Sequence, residues 1–268
     1  MHVYSMIKKI FRTISTYFAH LSQAKVIDAD YFERLLSLAR MGFKLPVIKE
    51  ISSSRQADLI NLLIKSNSQI GADLICLHQL NYKENGYFVE FGAYDGIDHS
   101  NTLLLESEFN WTGLLAEPCK RVNEQLRINR PQCLIDGSCI TGKSNTNVEF
   151  IDCTDGELST QKKYLKKGAI SNRRIKNTSY EVPTLSLIDL LDKYCAPAHI
   201  DFLSIDVEGG ELEILKAFNF DRYTFSMIAI EHGWTDSEAK IDKILSENGY
   251  KRKFKNLSKI DAWYFLES

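Results

Sequence analysis

Five acids and one histidine stand where short apolar runs end. Glu90 lies in GYFVEFGAYDG (86–96) and Glu117 in WTGLLAEP (111–118). Asp206 and Glu208 lie in DFLSIDVEGGELEIL (201–215), and Glu231 precedes His232 in IAIEH (228–232). Each run is rich in apolar or β-branched residues and too short for a helix, so it reads as a buried strand. Acids gathered at strand exits suit a cationic ligand or a proton transfer. His232 is the natural proton acceptor near neutral pH, and Asp206, Glu208 and Glu231 are its companions as candidate catalytic groups.

After the first strand, Tyr87 to Phe91, come Gly92 and Ala93, which let a backbone approach a ligand closely, and then the turn pair Asp95-Gly96. Such a strand, turn and helix form the mouth of a doubly wound sheet, where ligands bind outside the carboxyl ends of the strands. The spacing is not the G-x-G-x-x-G that cradles a pyrophosphate, and Glu90 would repel one. S-adenosylmethionine fits instead, since it carries a sulfonium, an amine and an adenosine but no phosphate. Asp98 to Thr102, with Asn101, form a polar helix start whose free backbone donors face this mouth.

Glu117 lies 21 residues after Gly96, at the end of the second strand, where an acid binds both ribose hydroxyls of a nucleoside. Beside Pro118 it also suits the first turn of a helix, and both roles can hold. Asp136 and Ser138 follow the third strand and either read the amino group of an adenine or make an ordinary turn. Asp73 is better placed to cap a helix than to reach a cofactor. Asp206, Glu208 and Glu231 offer hard oxygen ligands for magnesium, but the spacing does not require an ion and no metal is expected.

These groups need a scaffold of alternating strands and helices. Helix 118–129 leads to a strand at 132–135, and a further strand is expected at 148–152. Residues 154–178 are polar and basic, with Lys162, Lys163, Lys166, Lys167, Arg173, Arg174 and Lys176, and read as a long loop: a lid over an anionic or sugar acceptor, or a solvated face. Val182-Pro183-Thr184 is read as the start of a helix to Tyr194. Strands at 201–205 and 225–230, a helix at 235–248 and alternating strands at 250–255 and 262–267 close the chain. That last hairpin places one antiparallel strand in an otherwise parallel sheet. Upstream, residues 1–22, 28–41 and 55–65 show helical periodicity and form an N-terminal helical cap, 1–67. The amphipathic 1–22 segment packs on its own domain or contacts a membrane surface or partner.

The totals exclude several classes. With 33 basic and 35 acidic residues among 268, no net basic field points to nucleic acid. No run of about 18 apolar residues spans a membrane. Six cysteines without a C-x-x-C pair, and no signal-peptide core, point to a reducing, cytoplasmic setting.

The blocks SQIGADL (68–74), GYFVEFGAYDG, SNTLLLE (100–106), WTGLLAEP, DFLSIDVEGGELEIL and IAIEH, in this order, resemble the FkbM family of S-adenosylmethionine-dependent methyltransferases. Ala72 departs from the Gln usual in that family, which weakens the carry-over at Gln69 and Asp73. The resemblance implies a class I methyltransferase fold over 68–268: a Rossmann-like α/β sheet of seven strands, the last antiparallel. It places Glu90, Gly92 and Asp95 at the methionine part and Glu117 at the ribose, with Ala93, Gly96 and Pro118 as further cofactor contacts, and a sugar or metabolite hydroxyl as acceptor. A nicotinamide-dependent oxidoreductase, disfavoured by Glu90 and the missing third glycine, and a non-catalytic binding module on the same scaffold are the competing readings.

Overall fold

The computed structural model describes residues 56–154, 158–166, 177–233, 236–258 and 260–267, together with 42, 44, 46 and 47. The readings of 1–22 and 28–41 therefore lie outside the described residues. Helix α1, Gln56–Lys65, matches the third helical pattern. The unit that carries the sheet runs from Lys65 to Ser268. Among the described residues, no helix is long and apolar enough to cross a membrane.

Seven strands form the main sheet: β1 (Tyr87–Phe91), β2 (Thr112–Ala116), β3 (Leu134–Asp136), β8 (His199–Ile205), β9 (Thr224–Glu231), β10 (Tyr250–Lys253) and β11 (Asp261–Leu266). Their order across the sheet is β3-β2-β1-β8-β9-β11-β10. The first five pair in parallel, and β11 runs antiparallel to both β9 and β10. This is the α/β architecture expected of class I methyltransferases, with its antiparallel closing strand. The central strands are buried along nearly their whole length, as parallel strands covered on both faces must be. The strand order reverses at β1, which lies between β2 and β8, so a crevice opens there.

Helices α5 (Leu187–Lys193), α6 (Glu211–Ala217) and α7 (Glu238–Glu247) cover one face. Leu190, Leu191, Ile214, Leu215, Ile241 and Leu245 pack there against Val89, Leu203 and Ile228 of the sheet. Each of these side chains is worth about 1.5–3 kcal/mol when taken out of water. Helices α2 (Ala72–Gln79), α3 (Leu103–Phe109) and α4 (Lys120–Asn129) complete the unit.

Between β3 and α5 lies a second sheet the sequence reading did not foresee. Its strands β4 (Cys139–Thr141), β7 (Asn177–Ser186), β5 (Asn147–Cys153) and β6 (Thr160–Gln161) stand in that order. Val182-Pro183-Thr184 therefore does not start a helix. Val182 and Thr184 are buried and Pro183 is exposed, a period of two, and the segment pairs with Asn147 and Val148. The helix begins only at Leu187, where the Ser186 hydroxyl accepts a hydrogen bond from the Asp189 N–H at 3.2 Å. The expected basic loop is partly structured. Lys162 pairs with Glu149 at 2.7 Å and Lys163 with Glu213 at 2.6 Å, while 155–157 and 167–176 lie outside the described residues.

Candidate active site

A cavity of about 240 Å³ opens at the carboxyl ends of β1, β2, β8 and β9, with the inserted sheet and the start of β11 as its outer wall. Gly92 sets its floor. Its φ is +70°, and a Cβ there would sit 1.8 Å from the carbonyl oxygen of Asp206. The Asp206 N–H donates to the Phe91 carbonyl at 3.3 Å, so the exits of β1 and β8 touch at this point. Only glycine combines that backbone with that approach.

Glu90 lines the cavity but is not a bare acid. One carboxylate oxygen accepts the Asn101 N–H at 2.7 Å; the other accepts the hydroxyls of Thr102 at 2.6 Å and Ser100 at 3.1 Å. Arg130, wholly buried, donates to the same two hydroxyls and to the Gly96 carbonyl, and pairs with Glu106. Glu90 thus fixes the loop before α3 while it stands in the cavity wall. Asn101, also in the wall, donates to Ser204 at 3.0 Å and accepts from Ser68 at 2.6 Å. Ser68 in turn accepts the N–H groups of Gly71 and Ala72, so it caps α2 where Asp73 was expected to. Gln69 reaches the cavity, whereas Asp73 is buried away from it.

Ala93 lines the cavity; Asp95 and Gly96 do not. The Asp95 carboxylate accepts the N–H groups of Ile97 and Asp98, both at 2.9 Å, and so shapes the turn.

Glu117 and Pro118 line the cavity at the end of β2. The Glu117 oxygens accept the N–H groups of Tyr94 at 2.9 Å and Cys119 at 2.7 Å. Burial outweighs these two bonds and lifts its pKa to about 7. Its bond from the Cys119 N–H, the residue before α4, is the helix-start role expected of it. Asp136 and Ser138 fall outside the cavity wall, which Cys139 and Ile140 provide instead. Asp136 accepts from Ser138 N–H at 2.7 Å, Lys193 at 2.6 Å and the Tyr194 hydroxyl at 3.1 Å. Burial opposes its ionisation, yet the bonds from Lys193 and Ser138 prevail and hold its carboxyl below the usual range. Its bonds are spent inside the fold.

The other end of the cavity is acidic. Ligand atoms of Asp206, Glu208 and Glu231 lie within 4.8 Å of one another. Asp261, which the sequence reading missed, faces Glu231 in register across β11 and β9. It also lines the cavity, and burial raises its pKa to about 7. Asp206 is exposed where it lines the cavity, with protein packed about it, and desolvation, then the neighbouring Glu231, push its carboxyl above the usual range. Burial, then Glu208, Glu211 and Asp261, lift Glu231 to about 8. Acids this close resist ionising together, so each of Asp206 and Glu231 raises the proton affinity of the pair. Glu211, at the start of α6, accepts the N–H groups of Val207 at 3.2 Å and Gly209 at 2.9 Å and holds the loop that presents these acids.

His232 is not part of this cluster. It is buried outside the cavity wall, its Nε2–H donates to the Asp261 carbonyl at 3.0 Å, and its Nδ1 lies 3.8 Å from Glu238. Burial lowers its pKa. The expectation that it takes the acceptor proton is replaced by a structural role behind Asp261.

Residues 90–252 match the Methyltransferase FkbM domain. Similar solved structures include the methyltransferase FkbM from Methylobacillus flagellatus KT, at 11% identity over 85% of this chain and 59% of that one, with a TM-score of 0.46. The precorrin-6y C5,15-methyltransferase from Geobacter metallireducens GS-15 aligns at 14% identity over 72% of this chain and 84% of its own, with a TM-score of 0.38. Fibrillarin from Aeropyrum pernix, solved with natively bound S-adenosyl-L-methionine, aligns at 13% identity over 74% of each chain, with a TM-score of 0.39. No curated protein matches.

Proposed function

Because this chain belongs to the FkbM methyltransferase family, we propose that it transfers the methyl group of S-adenosyl-L-methionine to a sugar hydroxyl of a glycan, nucleotide sugar or glycosylated metabolite. The observation that carries the proposal is Glu117: a buried carboxylate in the cavity wall at the exit of β2, one strand from the Gly92 floor. That floor, which a Cβ would fill, and the absence of a third glycine fit a nucleoside without a pyrophosphate. Bound there, the cofactor supplies an electrophilic methyl group. Glu117 accepts the ribose hydroxyls, and the loop held by Glu90 and Asn101 shapes the methionine end. Asp206 and Glu231 receive the acceptor's proton, with Glu208 and Asp261 raising their proton affinity. Alignment of donor and acceptor oxygen supplies most of the acceleration. The free, mostly buried cysteines support a cytoplasmic setting.

Glu117→Ala should weaken S-adenosylhomocysteine binding about 30-fold or more, the worth of one or two hydrogen bonds to a charged group, and leave the fold intact. Calorimetry checks this; unchanged affinity would remove Glu117 from the ribose. A magnesium cage is the second reading of Asp206, Glu208 and Glu231, favoured by the closeness of their oxygens. Under the proton-acceptor reading, turnover survives EDTA within about twofold, a change of less than ~0.5 kcal/mol. A loss that magnesium restores would turn the acids into ion ligands.

A further inference from the structure

Gln161 belongs to β6, a strand of two residues in the inserted sheet, opposite Phe150 of β5. Its side chain is 3% exposed and stands in the cavity wall. The amide is used on one side only. It faces the Cys139 thiol, and its nitrogen lies 3.5 Å from where a Cβ on Gly210 would be. The oxygen, Oε1, is buried without a hydrogen-bond partner. A buried amide oxygen left bare costs about 1–3 kcal/mol, so a fold that keeps one beside a cavity has a use for it. Its strand is also anchored, because the Thr160 hydroxyl donates to the Glu208 carbonyl at 2.9 Å.

The surroundings say what could meet that oxygen. Ile140, Phe150 and Leu158, all buried, line the cavity beside it and offer apolar faces to a flat ring. Glu117 stands in the same cavity at the end of β2. Asp136 and Ser138, the groups expected to read a base, are turned to other partners. We propose that Gln161 reads the base of the methyl donor, its amide oxygen accepting a hydrogen bond from the 6-amino group of adenine. This rests on the S-adenosylmethionine reading above.

The test uses the full chain and three ligands that differ at one position of the purine: S-adenosylhomocysteine, its 6-oxo inosine counterpart and its N6,N6-dimethyl counterpart. The last two have no amino hydrogen to give. Calorimetry on the wild type should show the adenosyl ligand bound about tenfold to a hundredfold more tightly than either. Gln161→Met, which keeps the length and drops the acceptor, should bind the adenosyl and inosyl ligands within about threefold of each other. Wild-type binding of all three ligands alike would overturn the assignment and leave the cofactor reading standing. So would a Gln161→Met protein that keeps the full preference. Binding of none of the three by the wild type would defeat the cofactor reading itself, and this inference with it.

Discussion

Gly92→Ala should abolish cofactor binding and lower the melting temperature. The new methyl group would sit 1.8 Å from the Asp206 carbonyl oxygen, backbone that cannot swing aside as a side chain can. The residue also holds φ at +70°, where an L side chain costs roughly 1–2 kcal/mol. Relief requires β1 and β8 to part at the hydrogen bond between Phe91 and Asp206, which is the floor of the cavity. Strain and overpacking together cost about 2–5 kcal/mol, or roughly 5–15 °C in a unit of this size. Affinity for S-adenosylhomocysteine should fall about a hundredfold or more, because the cavity floor must deform to take the new methyl. Calorimetry and a thermal melt check both halves. A variant that binds and melts like the wild type would mean that the two strand exits do not meet as described.

Glu231→Gln should slow the enzyme and stabilise it. With a pKa of about 8, Glu231 is protonated at neutral pH and becomes a proton acceptor only as pH rises. Wild-type turnover should therefore climb through pH 8 and level off above it. The Gln variant should lose about a hundredfold or more in turnover, the usual worth of a positioned base, and lose the climb. Stability should move the other way. The folded pKa is raised above the ordinary carboxylate value of 4.5, so this group's contribution is fully present below pH 4.5 and is lost as pH rises through 8. Glutamine has no charge to bury. The variant's melting temperature should exceed the wild type's at pH 9 and converge with it near pH 5. Equal turnover across the pH range would remove Glu231 from the proton transfer. Asp206→Asn should behave similarly, since the two acids titrate as a pair.

The parallel strands were legible because their apolar runs are short and bounded by glycines and acids. The closing hairpin was legible from its alternation. The inserted sheet was not: β6 has two residues, too few for any period, and the proline signal at Pro183 hid a strand whose partner lies 36 positions upstream at Asn147. At the site, sequence placed Glu117 and the trio Asp206, Glu208 and Glu231 together, because acids at parallel strand exits share one edge of the sheet. The hydrogen-bond partners of Glu90 were not legible because they are remote: Ser100, Asn101 and Thr102 in the next loop, backed by Arg130. His232 had a usable signal that was passed over. Successive strand residues point to opposite faces, so a cavity-facing Glu231 turns its neighbour away. Asp261 and Gln161 are brought in by antiparallel pairing, across β9 and β5, which no local pattern reveals.

One titration bears on all of this. S-adenosylhomocysteine added to the wild-type chain in a calorimeter should bind at a single site with micromolar affinity, and NAD under the same conditions should give no binding heat. Silence toward the first ligand, or saturable binding of the second, would contradict the assignment of this acid-rimmed crevice to a sulfonium nucleoside.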